Sequence, residues 1–234
     1  MLSDHVDVHG LVTVITGASS GIGLTAAHHL AKQGAILVVA DQDNSAVAEA
    51  VKKITAATPG VSILGSDCNL TSWEEQAELF DNVKTLFGRV DIVLAFSNAS
   101  NSGQSFLSPP ISYEPRKPDL AVLDNSFSGT LYTINLALHY FRTQEPLHER
   151  GHKGTVLVGF VDNAETTDLL REASREGVLA LVRAFKTAAE NSNARLNGIT
   201  VNAVFTKSDA NDVMLEKLET AVVNRSINGQ ILEA

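Results

Sequence analysis

Apolar residues fall in short runs separated by longer stretches where they recur at helical spacing, with turn residues between. Residues 11–16 read as a first strand and 21–33 as the helix after it, ended by Gly34. A second strand is predicted over 35–40 and a second helix over 44–57, closed by Pro59-Gly60; a third strand follows over 61–65. Thr71-Ser-Trp-Glu74 has the form of a capping box and opens a helix to about Phe87. The pattern then predicts a strand over 91–95, a Pro- and Ser-rich loop over 101–118 and a long helix over 120–143. A fifth strand over 154–160, a helix over 166–191, a sixth strand over 197–204 and an amphipathic helix over 209–223 complete it. Strands alternating with helices at this spacing predict an α/β fold: one domain over 1–234, with a doubly wound parallel sheet, right-handed crossovers and helices on both faces.

Composition narrows the partners. The 234 residues suffice for a sizeable core. The formal net charge is −9 and no long basic run occurs, which argues against nucleic acid and anionic membranes as partners. No apolar run is long enough to span a bilayer, and the polar start 1–9 lacks a signal-peptide core. With Cys68 as the only cysteine no internal disulfide can form, so a reducing, cytoplasmic setting is expected. Cys68 itself, in an apolar stretch, reads as a buried filler. The seven histidines do not cluster with cysteine or acids at ligand spacing, so no metal is expected.

Chemistry first appears in Thr16-Gly-Ala-Ser-Ser-Gly-Ile-Gly23, between the first strand and the first helix. Gly17 permits a tight turn, Gly21 lets backbone approach a pyrophosphate, and Gly23 lets the helix pack close to the strand. The helix start then offers its N–H groups to phosphate oxygens. Asp41 ends the second strand, where an acid accepts hydrogen bonds from the adenosine ribose and repels a 2'-phosphate; the plain alternative is a solvated strand-end carboxylate.

The Gly-x-x-x-Gly-x-Gly spacing resembles that of the short-chain dehydrogenases/reductases, and the resemblance runs from about Gly10 to Leu232. Ser97-Asn-Ala-Ser100 is similar to the family's Asn-Asn-Ala-Gly, and the run 119–132 looks like the segment carrying its active-site Asn, here Asn125. The resemblance implies a nicotinamide dinucleotide along Gly17, Ser19, Ser20, Gly21, Ile22 and Gly23. It extends that contact through Asp41 and Gln42, Asp67 and Cys68, and Asn98, Ala99 and Ser100. Asp41 favours NAD(H), with NADP(H) left open. The resemblance also implies a small-molecule substrate and a homodimer or homotetramer formed through the helices over 120–143 and 166–191.

The catalytic half departs from the family. Its Tyr and Lys positions hold Arg171 and Arg175, and no tyrosine follows Tyr140. The active-site Ser at the end of the fifth strand is replaced by Gly159 or Phe160, and Phe205-Thr206 stand for the Pro-Gly after the sixth. Loss of the proton donor alone removes a factor on the order of 10²–10⁴ from ketone reduction, and arginine is too weak an acid to replace it. A cationic acceptor such as an iminium needs no donor. It needs an anion, and Asp162, just past the fifth strand, is the candidate, with Glu165 behind it; the alternative is that Asp162 or Asn163 caps the next helix. Arg171 and Arg175 share a helix face, either to hold ribose or a substrate carbonyl or as a solvated face laced with Glu172 and Glu176. In lacking the Tyr-Lys pair the chain resembles fungal biosynthetic members that reduce iminium species and steer a following cyclisation such as a Diels–Alder reaction. Three functions follow as expectations: a donor-free reductase or cyclase of alkaloid-type secondary metabolism; a dinucleotide-binding pseudoenzyme or sensor; or a conventional alcohol/ketone oxidoreductase with relocated groups.

Overall fold

The computed structural model describes residues 7–96, 120–147, 151–161, 169–191, 196–206, 211–224 and 226–233. The first half runs β1 (Val12–Thr16), α1 (Gly21–Lys32), β2 (Ile36–Asp41), α2 (Asn44–Ala57), β3 (Ile63–Asp67), α3 (Trp73–Phe87) and β4 (Ile92–Phe96). The second runs α4 (Ala121–Leu123), a π-helical turn (Asp124–Ser128), α5 (Gly129–Thr143), β5 (Gly154–Val161), α6 (Leu169–Asn191), β6 (Ile199–Thr206), α7 (Asn211–Val223) and β7 (Ile231–Glu233). The seven strands form one sheet in the order β3-β2-β1-β4-β5-β6-β7, every pair parallel. The chain thus starts in the middle, builds out to β3, and crosses back to the other side of β1.

The period-2 alternation of each strand divides the core. Val12 and Val14 of β1, Val93 and Ala95 of β4, and Val156 and Val158 of β5 share an apolar layer with α3, α5 and α6. Ile15, Leu94, Phe96 and Leu157 point the other way, into a layer with α1, α2 and α7. Strands covered on both faces read as near-continuous apolar runs, which is why β1, β2 and β4 stood out. At the amino end of the sheet the carboxylate of buried Asp91 accepts from the Val12 N–H at 2.9 Å and from Arg89 Nε at 2.6 Å. Buried Gln144 donates to the carbonyls of Val90 and Lys153 and so ties the end of α5 to β4 and β5. Among the described residues no helix is long and apolar enough to cross a membrane.

Several expected boundaries move. β3 runs on to Asp67, because this edge strand carries polar residues to solvent where an apolar pattern would have marked its end. β6 begins at Ile199 and includes Phe205 and Thr206. Its buried polar residue Asn202 bonds the Ile227 carbonyl and the Gln230 N–H, bringing β7 alongside. The cap of α3 is Ser72, whose hydroxyl accepts from the Glu75 N–H at 3.2 Å; Thr71 instead bonds Asn69. The Glu75 carboxylate reaches the Asn69 N–H.

The helix expected over 120–143 is interrupted by the π turn, where the Gly129 N–H reaches back to the Asp124 carbonyl. Three contacts hold that turn. Gly129 lies against the Leu70 carbonyl, with no room for a Cβ; Gln76 Nε2 donates to the Gly129 carbonyl at 3.0 Å; and Thr130 Oγ1 donates to the Ser126 carbonyl at 2.8 Å.

Candidate functional site

The crossovers leave β1 and β4 in opposite directions, so the sheet opens a crevice at their carboxyl ends, where ligands of doubly wound folds bind. The turn after β1 occupies this place. Gly17 has φ +65° and Gly21 φ +53°, both in the region that favours glycine. At Gly17 a Cβ would collide with the Phe96 carbonyl, and at Gly23 with the carbonyl of Gly17. At Gly21 a Cβ would meet nothing within 4 Å among the described residues. Two glycines are therefore demanded by the protein's own packing, while the third meets none of the described residues. Ile22 buries its side chain in the α1 layer and fixes the helix start. The first turn of α1 carries no acidic residue, so nothing there opposes the positive end of the helix dipole.

The register Thr16↔Ala40 places this turn beside the end of β2. Asp41 Oδ2 accepts from the Ser19 N–H at 3.2 Å and from Ser19 Oγ at 2.6 Å, and Oδ1 accepts from the Gln42 N–H at 2.8 Å. Asp67 pairs in register with Asp41 on the edge strand and is exposed. Two acidic residues thus end neighbouring strands side by side, at the carboxyl ends of β2 and β3. The Cys68 N–H is committed to the Asp41 carbonyl at 2.9 Å, and its side chain lies in the core. Burial first, then the charges of Glu75 and Asp67, push the thiol up to about 12. The thiolate is the reactive form, so iodoacetamide at pH 8 is expected to leave native Cys68 unlabelled and to label it in urea. Rapid labelling of the native chain, read by mass spectrometry, would contradict this burial.

At the other end, the π turn and α6 pack directly: Gly177 of α6 leaves the space that the Phe127 ring occupies. Asn125 lies in the π turn, half-buried. Arg175 donates to Glu172 and, at 3.2 Å, to Glu176, while its guanidinium carbon sits 4.5 Å from the centre of the Phe205 ring. Arg175 is thus ion-paired along α6 and lies over the carboxyl end of β6. Arg171 lies one turn earlier and is half-buried. Phe160 is the register partner of Phe205, and Gly159 is pressed against the Phe96 ring. Neither offers a hydroxyl. Asp162, Asn98, Ala99 and Ser100 lie outside the described residues.

The structure therefore gathers Gly17, Ser19, Gly21, Gly23, Asp41 and Asp67 at one end of the crevice, and brings the element of Asn125 against that of Arg171 and Arg175 at the other. Sequence reasoning missed the Ser19–Asp41 bond, which depends on strand register, and Phe205 as the support of Arg175. The latter had a signal, since an aromatic replacing Pro-Gly at a strand end offers a face that a cation can cover.

Known proteins give this geometry a family. The chain matches the family described as short chain dehydrogenase over residues 11–217. An uncharacterized oxidoreductase of Staphylococcus saprophyticus is 30% identical over 203 residues, covering 86% of this chain and 81% of that protein. The 5'-hydroxyaverantin dehydrogenase of Dothistroma septosporum is 28% identical over 213 residues, 84% of this chain and 69% of its own length. The short-chain dehydrogenase/reductase prx4 of Penicillium rubens is 29% identical over 207 residues, but the chain spans only 56% of that protein. In fold, the chain is similar to a short chain dehydrogenase from Mycobacterium smegmatis, with a TM-score of 0.77 at 21% identity over 98% of this chain and 95% of that one. Proteins of this kind generally bind a nicotinamide dinucleotide. A match over most of the length, on a sheet of this order with a glycine turn at its switch point, means that the chain belongs to the short-chain dehydrogenase family.

Proposed function

We propose that the chain is one dinucleotide-binding domain that takes NAD(H) in preference to NADP(H) and acts without the family's Tyr-Lys proton donor. Its acceptor in this reading is already cationic, an iminium, and a cyclisation can follow. One contrast supports it. The turn over 17–23 and Asp41 suit a dinucleotide, while α6 carries Arg171 and Arg175, the latter above Phe205, where an acid should stand.

When bound, the dinucleotide supplies a hydride. The chain's part is to hold the pyrophosphate on the N–H groups of the turn and the start of α1, and the adenosine ribose on Asp41. Asp162, the residue after the last of β5, is the proposed anion that steadies the acceptor, and Asn125 orients it. An iminium acceptor would become a neutral amine on reduction, so the chain would have no proton to deliver. An ordinary ketone would leave an alkoxide with no acid beside it. Arg171 and Arg175 are read as holding ribose or a substrate carbonyl through charge and not by proton transfer. Self-association through α5 and α6 belongs to the same reading.

Titration of the purified chain with NADH and NADPH, followed by nucleotide fluorescence, tests the cofactor half. NADH is expected to bind more tightly. Absence of binding by either nucleotide would overturn the proposal.

A further inference from the structure

We infer that Ser19 sets the strength of the NAD(H) preference by competing with the adenosine ribose for Asp41; the inference rests on the dinucleotide reading above. A carboxylate offers about four acceptor sites. Asp41 has committed two at Oδ2, to the N–H and the hydroxyl of Ser19, and one at Oδ1, to the Gln42 N–H. Roughly one acceptor site is left, yet the ribose of NAD(H) brings two donors, its 2'- and 3'-hydroxyls. One of the present donors must leave.

The choice among the three is decided by covalent geometry. The N–H of Ser19 is fixed by the turn that Gly17 and Gly23 lock in place, and the N–H of Gln42 by the end of β2. The Ser19 hydroxyl alone can swing away by rotation about one bond. It is also the shortest of the three contacts, at 2.6 Å, and a bond to an ionised partner of that length is among the stronger ones. Binding of NAD(H) therefore costs a good hydrogen bond inside the protein. NADP(H) carries a phosphate in place of the 2'-hydroxyl and brings one donor, for which a site is already open. The Ser19 hydroxyl weakens NAD(H) binding and leaves NADP(H) nearly untouched, so it flattens a preference that the charge of Asp41 creates.

The test is titration of the wild type, Ser19→Ala and Ser19→Thr with NADH and NADPH. Ser19→Ala keeps the backbone bond that aims the carboxylate. It is expected to lower the NADH Kd about tenfold while NADPH shifts less than about twofold. Ser19→Thr retains the hydroxyl and is expected to keep the wild-type ratio of the two constants. A merely structural role would move both nucleotides together. An unchanged or weakened NADH Kd in Ser19→Ala, or a Thr variant that behaves like the Ala variant, would overturn the inference while the dinucleotide reading stands. Failure of the wild type to bind either nucleotide would sink both.

Discussion

Gly17→Ala is expected to lower the midpoint of thermal unfolding by about 10 °C and to abolish NADH binding. Gly17 sits at φ +65°, where a side chain costs about 1–2 kcal/mol. Its Cβ would also overlap the Phe96 carbonyl, which β4 holds through the pairing Thr16↔Ala95. Relief requires β1 and β4 to part at their carboxyl ends, and the carbonyl of Gly17 is itself the surface on which Gly23 packs. Together these amount to about 3–5 kcal/mol, a large share of the roughly 5–15 kcal/mol that holds a domain together. A chain of this size loses about 2–4 °C per kcal/mol. Gly21→Ala is the informative partner. Among the described residues no atom lies within 4 Å of its Cβ position, which leaves the φ strain of about 1–2 kcal/mol. It should fold, melt a few degrees lower, and still lose NADH. Circular-dichroism melts alongside nucleotide titration separate the two, and a Gly21→Ala variant with wild-type NADH affinity would remove the ligand from this turn.

Asp162→Asn is expected to slow reduction of a cyclic iminium by a factor of about 10²–10³, the usual effect of deleting one preorganised electrostatic partner, with NADH affinity unchanged. Asn keeps the size and polarity of the side chain and removes the charge. If Asp162 only caps the following helix, Asn caps as well, and the rate should stay within a few-fold of wild type. The variant therefore separates the two readings of this residue without depending on its stability. The comparison uses single-turnover rates at saturating iminium, with NADH titration as the control.

The fold was legible where burial is two-sided. β1, β2 and β4 are covered by helices on both faces, their apolar runs are continuous, and the expected spans agree with the observed ones within a residue or so. α2 agrees at both ends, because Asp43 supplies a cap and Pro59-Gly60 a stop. Legibility failed where polar side chains do the work of apolar ones. Asn202 is fully buried in β6 and satisfied by the approach of β7, and the edge strand β3 ends in Ser66 and Asp67. The π turn was invisible because one extra residue per turn barely disturbs a helical period. What holds it, Gln76 and the Leu70 carbonyl, comes from α3 and the loop before it.

The candidate site divides in the same way. Its glycines were readable, since each has a local steric reason, two of them in contacts within the turn or across β4. The Ser19–Asp41 bond was not, because it joins residues that only the pairing of β1 with β2 makes neighbours. The arginines on α6 were readable as an absence of acid, but their partners were not fully so. Glu172 and Glu176 follow from helical spacing, whereas Phe205 is set beneath Arg175 by the packing of α6 on β6.

The measurement that bears most directly on donor-free action is a rapid-mixing comparison of two acceptors of the same ring skeleton, a cyclic iminium and the matching ketone, each added to the NADH-loaded chain while nucleotide absorbance is followed. Oxidation of NADH by the iminium, with the ketone slower by a factor on the order of 10² or more, is the predicted result. Equal rates with the two acceptors would mean that a proton donor is present after all, and oxidation by neither would contradict the reductase reading.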